Sequence, residues 1–384
     1  MNEKIGYSTH QLSPSSWNRF EECPRKYWLS KQKLPKKASM PASIGTIIHN
    51  SVEDLCNINL ELINTNKEGW FNEISKDIFQ KQWSKEKKTF LDTPRHSKWK
   101  DELYDKSFQG FMGAVNILLS KAGLQIFSTS QVSYNSWKTV QKIIIANEGT
   151  LVSECGRITG RLDLLISEIK EGKTIGWIVA DLKTGKPPTL DLDKKVSRQL
   201  RLYRDLVELN NPNHPPIKVE GWYSNNQKVY VETGPSVINQ AFEAWQKMSP
   251  SDSPFQATPN EKSCSFCEWK AWCPSWWIAI NDGIFKPGKM FRDEVVKLIR
   301  FDKESAVALF ERLTPDGDKG KLQNSDHRFG AFLKDKSLEK LVEISKNKPD
   351  TELYLGSIRF DGKTAYLGDW SEIIEWNPLQ NSKI

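Results

Sequence analysis

Two apolar runs rich in β-branched residues occupy the middle of the chain and predict a β-hairpin. Residues 158–166 read ITGRLDLLI, and residues 174–186 read TIGWIVADLKTGK. The polar segment 167–173 between them contains a glycine, so the pattern predicts two strands joined by a fairly long turn. Another strand is predicted just before them, over 149–154. Together these segments predict a small β-sheet near the centre of the sequence.

Helical patterns precede this sheet. Ser13 suits a helix N-cap and Pro14 the first helical position, which predicts a helix that continues through Trp28 and ends at the basic segment 31–37. A second helix is predicted to begin near Gly45. Its apolar stripe has helical spacing and consists of Ile44, Ile48, Val52 and Leu55. Residues from about 60 to 145 predict a largely helical insertion, which either walls a cleft or forms a plain packing layer.

The segments after the hairpin alternate between helix and strand patterns. We predict a helix over 192–209, a short hairpin that turns at Asn225–Asn226, and a helix over 237–248. The resulting element order predicts an α/β fold, in which a small mixed β-sheet is flanked by helices. Beyond residue 284 the character changes, with a predicted helix over 292–312 and a hairpin that turns at Asp361–Gly362.

The predicted domains follow from this change of character. Residues 1–284 form one domain that contains the helical insertion, and residues 285–384 form a small C-terminal α+β domain of unknown role. The net charge of +7 favours a polyanionic partner. No apolar run approaches the roughly 18 residues that span a membrane, and no signal peptide is evident, so a cytoplasmic protein without a membrane partner is expected.

Acidic and basic side chains interrupt the two apolar runs of the hairpin. Asp163 lies in the first run, and Asp181 and Lys183 lie in the second. Side chains two positions apart on a strand point to the same face, so Asp181 and Lys183 are expected to meet. Buried acids without a partner are costly, which predicts a site for Mg²⁺ or Mn²⁺. The Leu182 carbonyl and His49, at the edge of the second helix, are candidate ligands, and Lys183 is a candidate to stabilise a phosphoryl transition state.

Three of the six cysteines lie close together in the sequence. Cys264, Cys267 and Cys273 form this group, and Cys23 lies far upstream. Four cysteines can bind Zn²⁺ or an iron–sulfur cluster, and chemistry alone puts zinc slightly ahead. The remaining two, Cys56 and Cys155, are not needed as ligands.

Several of these segments resemble the motifs of one nuclease superfamily. The two runs around Asp163 and Asp181-Leu182-Lys183 resemble the core of PD-(D/E)XK nucleases, and Gln199 with Tyr203 resembles the Gln-x-x-x-Tyr motif of their RecB-like branch. The segment 45–49, which ends in His49, is similar to the histidine motif of that branch. Residues 12–15 and 23–27 match its usual opening. The motifs stand in the expected order between residues 12 and 273.

This resemblance implies a restriction-endonuclease-like core and a division of roles. His49, Asp163, Asp181 and the carbonyl of Leu182 would bind the metal ion. Lys183 would be the catalytic lysine, and Gln199 and Tyr203 would position that lysine or the DNA. The cysteine layout resembles that of 4Fe-4S nucleases of the AddB and CRISPR-adaptation groups, so the resemblance places a structural 4Fe-4S cluster ahead of zinc.

The implied function is a RecB-like exonuclease that hydrolyses phosphodiester bonds of single-stranded DNA or DNA ends in repair and recombination. No phosphate-binding loop of the Gly-x4-Gly-Lys-Ser/Thr type is present, so a separate helicase subunit is the expected source of any ATP-driven motion. The alternative function is a non-catalytic DNA-end-binding subunit of a helicase–nuclease complex. A third, an iron–sulfur redox protein, does not account for the hydrolytic residues.

Overall fold

A computed structural model describes residues 10–126, 128–316, 321–348, 350–362 and 364–379. The α-helices of this part are Pro14–Glu22 (α1), Pro24–Ser30 (α2), Met40–Cys56 (α3), Trp70–Asp92 (α4), Tyr104–Lys121 (α5), Tyr134–Ile143 (α6), Lys194–Asn210 (α7), Ile238–Lys247 (α8), Glu261–Ser265 (α9), Pro274–Asn281 (α10) and Asp335–Asn347 (α11). The strands are Ile144–Val152 (β1), Thr159–Lys170 (β2), Lys173–Lys183 (β3), Ile217–Tyr223 (β4), Lys228–Glu232 (β5), Phe291–Asp302 (β6), Val307–Asp316 (β7), Lys321–Leu333 (β8), Glu352–Asp361 (β9), Thr364–Leu367 (β10) and Glu372–Glu375 (β11). None of the helices in these ranges has the length and apolar character needed to cross a membrane.

The chain forms two compact units. The first comprises Met1–Asn18, Ala38–Thr93 and Trp99–Ser249, and the second comprises Arg19–Lys37, Pro94–Lys98 and Pro250–Ile384. The domain boundary at residue 284 stays a prediction.

A five-stranded sheet forms the centre of the first unit, in the order β1-β2-β3-β4-β5. The β3–β4 pair is parallel and the other pairs are antiparallel. Side chains of α3 to α6 pack with one set of sheet residues, and α7 packs with another. Because both sets of strand residues are covered by helices, the strands carry near-continuous apolar runs rather than alternating ones. This arrangement confirms the predicted α/β class and the mixed sheet flanked by helices.

The helical insertion is confirmed, and its tryptophans serve packing. Trp70, Trp83, Trp99 and Trp137 are all buried in the larger core of the first unit. Trp83 and Trp99 make an edge-on contact with ring centroids 5.0 Å apart. The segment therefore fills the role of the packing layer, which was one of its two predicted roles.

Two predictions about local structure in the N-terminal half are wrong. The first helix breaks at Cys23, whose backbone is extended, because Pro24 lacks an amide donor and disfavours the helical conformation in the preceding residue. The hairpin turn is short rather than long. Strands β2 and β3 continue to Lys170 and from Lys173, and Glu171–Gly172 make the turn with φ values of 52° and 75°, the left-handed conformation of tight hairpins.

The second unit contains a closed barrel where the sequence predicted a helix over 292–312. Strand β6 pairs with β7, β7 with β8, β8 with β10, β10 with β9, and β9 again with β6. The pairs Val295–Val296 and Leu298–Ile299 suit helical and strand periods equally, and a bulge between Leu298 and Arg300 disturbs the strand alternation. The predicted hairpin around Asp361–Gly362 is confirmed as β9 and β10.

Candidate active site

Asp181 and Lys183 of β3 meet as the strand period predicts. Asp181 is only 2 % exposed, and its Oδ2 lies 2.6 Å from Nζ of Lys183. Burial raises the pKa of Asp181, and the nearby charge of Asp163 adds to this effect against the opposing charge of Lys183. Burial alone would lower the pKa of Lys183, but Asp181 outweighs it, so the pKa is raised and the ammonium stays charged.

Helix α7 brings a glutamine and a tyrosine to this ion pair. Oε1 of Gln199 accepts a hydrogen bond from Nζ of Lys183 at 3.2 Å, and its Nε2 donates to Oδ1 of Asp181 at 2.9 Å. The same amide nitrogen lies 2.9 Å from the hydroxyl of Tyr203, one helical turn later. The Tyr203 ring packs over Gly160 of β2, where a Cβ would come within 2.8 Å of the ring. Gln199 and Tyr203 therefore fix the position of Lys183.

His49 links α3 to the end of the hairpin. Its Nε2 lies 3.0 Å from the Leu182 carbonyl oxygen, and its Nδ1 lies 3.2 Å from Oδ1 of Asp163. The other carboxylate oxygen of Asp163 accepts a 2.6 Å hydrogen bond from the Leu182 amide. Burial alone would lower the pKa of His49, but the charge and hydrogen bond of Asp163 raise it to about 10. This point of the fold therefore attracts positive charge.

Glu148 of β1 is the residue that the sequence analysis missed. Its Oε1 lies 3.7 Å from Nδ1 of His49, and its Oε2 lies 2.6 Å from Nε of Arg161. The predicted strand began one residue later, so Glu148 fell outside the sheet. Its backbone has φ of 48°, which is costly for a side chain other than glycine and is typical of residues held for a function. Glu148 lies in the middle of β1, where Asn147, Glu148 and Gly149 interrupt the apolar pattern, so no local signal marked it as part of the site.

The ligand atoms of His49, Glu148 and Asp163 all lie within 4.8 Å of one another. They line a shallow depression together with Val52, Glu53, Asn147, Leu164 and Leu182. Carboxylates and a carbonyl oxygen suit a hard divalent cation, and the imidazole shifts the preference towards Mn²⁺. These donors fit a Mg²⁺ or Mn²⁺ ion.

The four cysteines singled out by the sequence all belong to the second unit. Cys23 interacts electrostatically with Cys264 and Cys273, and Cys267 interacts with the same two thiols. Burial raises the pKa of Cys264 and of Cys267 to about 11. The buried guanidinium of Arg25 interacts with Cys23 and Cys273. The structure therefore gathers these thiols beside a fixed positive charge.

These thiols are spaced more widely than the ligands of one zinc ion. Zn–S bonds of about 2.3 Å in a tetrahedron put the sulfur atoms roughly 3.8 Å apart. Within the described ranges, no three cysteines have sulfur atoms within 4.8 Å of one another. The cysteine group thus does not form a compact zinc site in this structure. Of the two cysteines not needed as ligands, Cys56 is buried in the larger core of the first unit and Cys155 is exposed.

Comparison with known proteins assigns the chain to a family. A family model described as the PD-(D/E)XK nuclease superfamily matches residues 11–274. The chain belongs to the PD-(D/E)XK nuclease superfamily. Its members are hydrolytic nucleases that use divalent metal ions, which confirms the predicted metal-dependent nuclease chemistry. The RecB-like branch, the exonuclease activity and the iron–sulfur cluster remain predictions.

The other comparisons add little about this nuclease. No curated protein sequence matches it. The crystal structure of SSO0001 is similar to it at 11% identity, covering 61% of this chain and 96% of that chain, with a TM-score of 0.27. That likeness is too weak to bear on the fold or the function.

Proposed function

We propose that this nuclease is a RecB-like exonuclease that acts on single-stranded DNA or DNA ends in repair and recombination. One observation carries the proposal: α3 and, more than a hundred residues later, the β2–β3 hairpin and α7 bring their polar motif residues together. These residues are His49, Asp163, Asp181, Lys183, Gln199 and Tyr203. The ligand atoms of His49, Glu148 and Asp163 also lie within 4.8 Å of one another, an arrangement suited to a divalent cation.

In this proposal His49, Glu148, Asp163, Asp181 and the Leu182 carbonyl hold the metal ion. When bound, Mg²⁺ or Mn²⁺ supplies positive charge to the phosphate and lowers the pKa of a water molecule.

Besides the metal ligands, the protein contributes a positive charge of its own, the Lys183 ammonium, which it holds beside the phosphate. Asp181 and Gln199 fix Nζ of Lys183 at 2.6 and 3.2 Å, so its ammonium needs no reorientation when charge develops on the phosphate oxygens. Tyr203 restrains the Gln199 amide in turn. Gln199 and Tyr203 are thus positioning residues that act through Lys183.

The test is cleavage of end-labelled linear single-stranded and double-stranded DNA and of closed circular single-stranded DNA in Mn²⁺. We expect cleavage of the linear substrates and none of the circle. Asp181→Ala should lower cleavage at least about 100-fold and leave DNA binding within a few fold. Asp77→Ala serves as the matched control, because Asp77 is an exposed acid on α4.

Each result has a distinct meaning for the proposal. Efficient cutting of the circle would make the protein an endonuclease. Full activity of Asp181→Ala would remove the assigned site. DNA-end binding with no cleavage by the wild-type protein, with or without a chelator, would favour the alternative of a non-catalytic subunit of a helicase–nuclease complex.

We further propose that Cys23, Cys264, Cys267 and Cys273 hold a structural 4Fe-4S cluster. The four thiols interact electrostatically with one another, and the buried guanidinium of Arg25 would balance negative charge on bound thiolates of either a cluster or a zinc site. The resemblance of the cysteine layout to that of 4Fe-4S nucleases favours the cluster. Such a cluster would join α2 to the region around α9 and α10 and close a loop of more than 200 residues, which restricts the unfolded chain.

Metal analysis of protein purified without oxygen tests the cluster. We expect iron and acid-labile sulfide in equal amounts and a brown colour in the wild-type protein. Cys23→Ser should lose them, and Cys155→Ser should keep them, since Cys155 is exposed outside the group. Stoichiometric zinc without iron would contradict the cluster and support the zinc alternative.

A further inference from the structure

The barrel of the second unit has a recognisable connectivity. If its strands are counted from β6, their order around the barrel is one, two, three, five, four and back to one. The third and fifth strands, β8 and β10, are parallel, and α11 lies between the third and the fourth. This is the connectivity of the OB-fold, a five-stranded barrel whose second and third strands form a common surface for oligonucleotides. Fold alone does not assign function, which depends on the side chains that the barrel surface presents.

Strand β8 shows which side chains point outwards. Phe329, Ala331 and Leu333 are buried in the barrel core, whereas Gly330 and Phe332 are exposed. Phe332 is 45 % exposed although it is a large aromatic residue. Its ring stacks on Tyr366 of β10, with centroids 5.7 Å apart and an interplanar angle of 21°. The barrel therefore presents a stacked aromatic pair to solvent.

The neighbouring strands extend this surface. Val307 pairs with Phe332, Leu309 pairs with Gly330, and Arg300 of β6 pairs with Leu309. Arg300 is exposed, and a Cβ placed on Gly330 would meet no atom within 4 Å, so the space beside Phe332 is open. We call this surface the aromatic face. It consists of Arg300, Val307, Leu309, Gly330, Phe332 and Tyr366.

We propose that the aromatic face binds single-stranded DNA. An exposed aromatic ring beside an accessible apolar patch can stack on an unpaired base. A duplex offers no unpaired bases, so the face suits single strands. Arg300 lies two strands across from Gly330, roughly 10 Å away, and the exposed Arg359 pairs with Tyr366, so a guanidinium flanks the rings on either side for the phosphates of adjacent nucleotides. The acid of this row is Asp302, which pairs with Val307 and whose carboxylate accepts a hydrogen bond from the Glu304 amide. Binding therefore needs no sequence preference. The choice of DNA over RNA rests on the proposed function of the nuclease site.

Binding is measured with the full chain carrying Asp181→Ala, in a chelator, by fluorescence anisotropy of labelled oligothymidylate about 16 nucleotides long. In that background Phe332→Ala should weaken binding about 5- to 100-fold. Ile175→Ala is the matched control, since Ile175 is likewise 45 % exposed but lies on β3 of the first unit, outside the barrel. It should bind within twofold of the parent.

A second pair of variants separates charge from packing. Gly330→Glu and Gly330→Lys both add a side chain where the fold has room for one. The glutamate should weaken binding at least about fivefold and the lysine should not, because only the glutamate repels phosphate. Thermal unfolding of each variant checks that the barrel remains folded.

The outcomes decide the proposal independently of the nuclease site. Equal effects of Phe332→Ala and Ile175→Ala, or no effect of Phe332→Ala and Gly330→Glu, would overturn it. Tighter binding of oligouridylate than of oligothymidylate would overturn the choice of DNA. If only the nuclease assignment is wrong, the protein without the Asp181→Ala change will not cleave DNA. Phe332→Ala and Gly330→Glu will still weaken its DNA binding.

Discussion

Each unit of the protein buries an ionic network, and the two networks differ in their balance of charge. In the first unit, burial and Asp163 raise the pKa of Asp181 even though Lys183 lies 2.6 Å away. In the second unit, burial would raise the pKa of Glu372, but Arg95 and Lys37 outweigh it and the pKa is lowered.

The geometry explains the difference. Nε of Arg95 lies 3.0 Å from one carboxylate oxygen of Glu372, and a terminal nitrogen lies 3.3 Å from the other, in a bidentate pair. Lys37 binds the same carboxylate. Two cations thus serve one acid. Near Lys183, by contrast, two acids lie close together, and the charge of Asp163 adds to the effect of burial on the pKa of Asp181. A carboxylate held by two cations stabilises a fold, whereas neighbouring carboxylates that raise one another's pKa are suited to bind a metal cation.

Removing the lysine is expected to have the largest effect. Lys183→Met should lower the rate of DNA cleavage about 100- to 1,000-fold, because no other ammonium is held at that position. Single-turnover cleavage of labelled DNA measures the change. Lys173→Met is the control, since Lys173 is exposed at the far end of the same strand. Equal losses in both variants would show that Lys183 acts only as a surface charge.

Neutralising Glu372 should affect stability rather than cleavage. Glu372→Gln should lower the free energy of unfolding of the second unit by about 2 kcal/mol at pH 7, because it removes charge-assisted hydrogen bonds from Arg95 and Lys37. Urea unfolding measures this loss, with Glu375→Gln as the exposed control. A cleavage defect larger than the stability defect would contradict the purely structural role.

The same pair predicts a pH dependence. A carboxylate whose pKa is lowered by folding stabilises the protein above its unfolded pKa of about 4.3, and this contribution is lost as the pH falls through the folded pKa. The stability difference between wild type and Glu372→Gln should therefore be full at pH 7 and shrink below about pH 4. A difference that grows on acidification would have the wrong sign.

A glycine substitution tests the support of the lysine. Gly160→Ala should force the Tyr203 ring away from β2 and loosen Gln199, at a cost of about 1–3 kcal/mol in stability and a fall in kcat larger than the change in KM. Gly149→Ala on β1 is the control, because its Cβ would meet ordinary contacts at 3.6 Å. Thermal unfolding and steady-state kinetics of the two variants give the comparison.

Metal binding should produce the smallest effect. Mn²⁺ at about ten times its dissociation constant should stabilise the first unit by about 1.4 kcal/mol and raise its melting temperature by about 3–6 °C. Asp163→Asn should abolish this shift, and Glu372→Gln should keep it. A shift of equal size in Asp163→Asn would place the ion elsewhere.

The spacing of apolar and polar residues within single segments accounts for the features that were predicted correctly. The two-residue period of a strand put Asp181 and Lys183 on one face, whereas Gln199 and Tyr203 were singled out by their resemblance to a Gln-x-x-x-Tyr motif. The same reasoning failed over 292–312, where paired apolar residues and a bulge hide the strand period. It also missed Glu148, because nothing local distinguishes a charged residue in a polar stretch of a strand from a solvated one.

By itself, the sequence determined the residue types of the site, their order and the cysteines of the second unit. Only the tertiary structure decided that His49 and Glu148 meet Asp163, that the C-terminal strands close into a barrel, and that Phe332 faces outwards. The physical reason is the distance along the sequence over which each kind of interaction acts. Periodicity acts over a few residues, whereas strand pairing and helix packing join segments about a hundred residues apart.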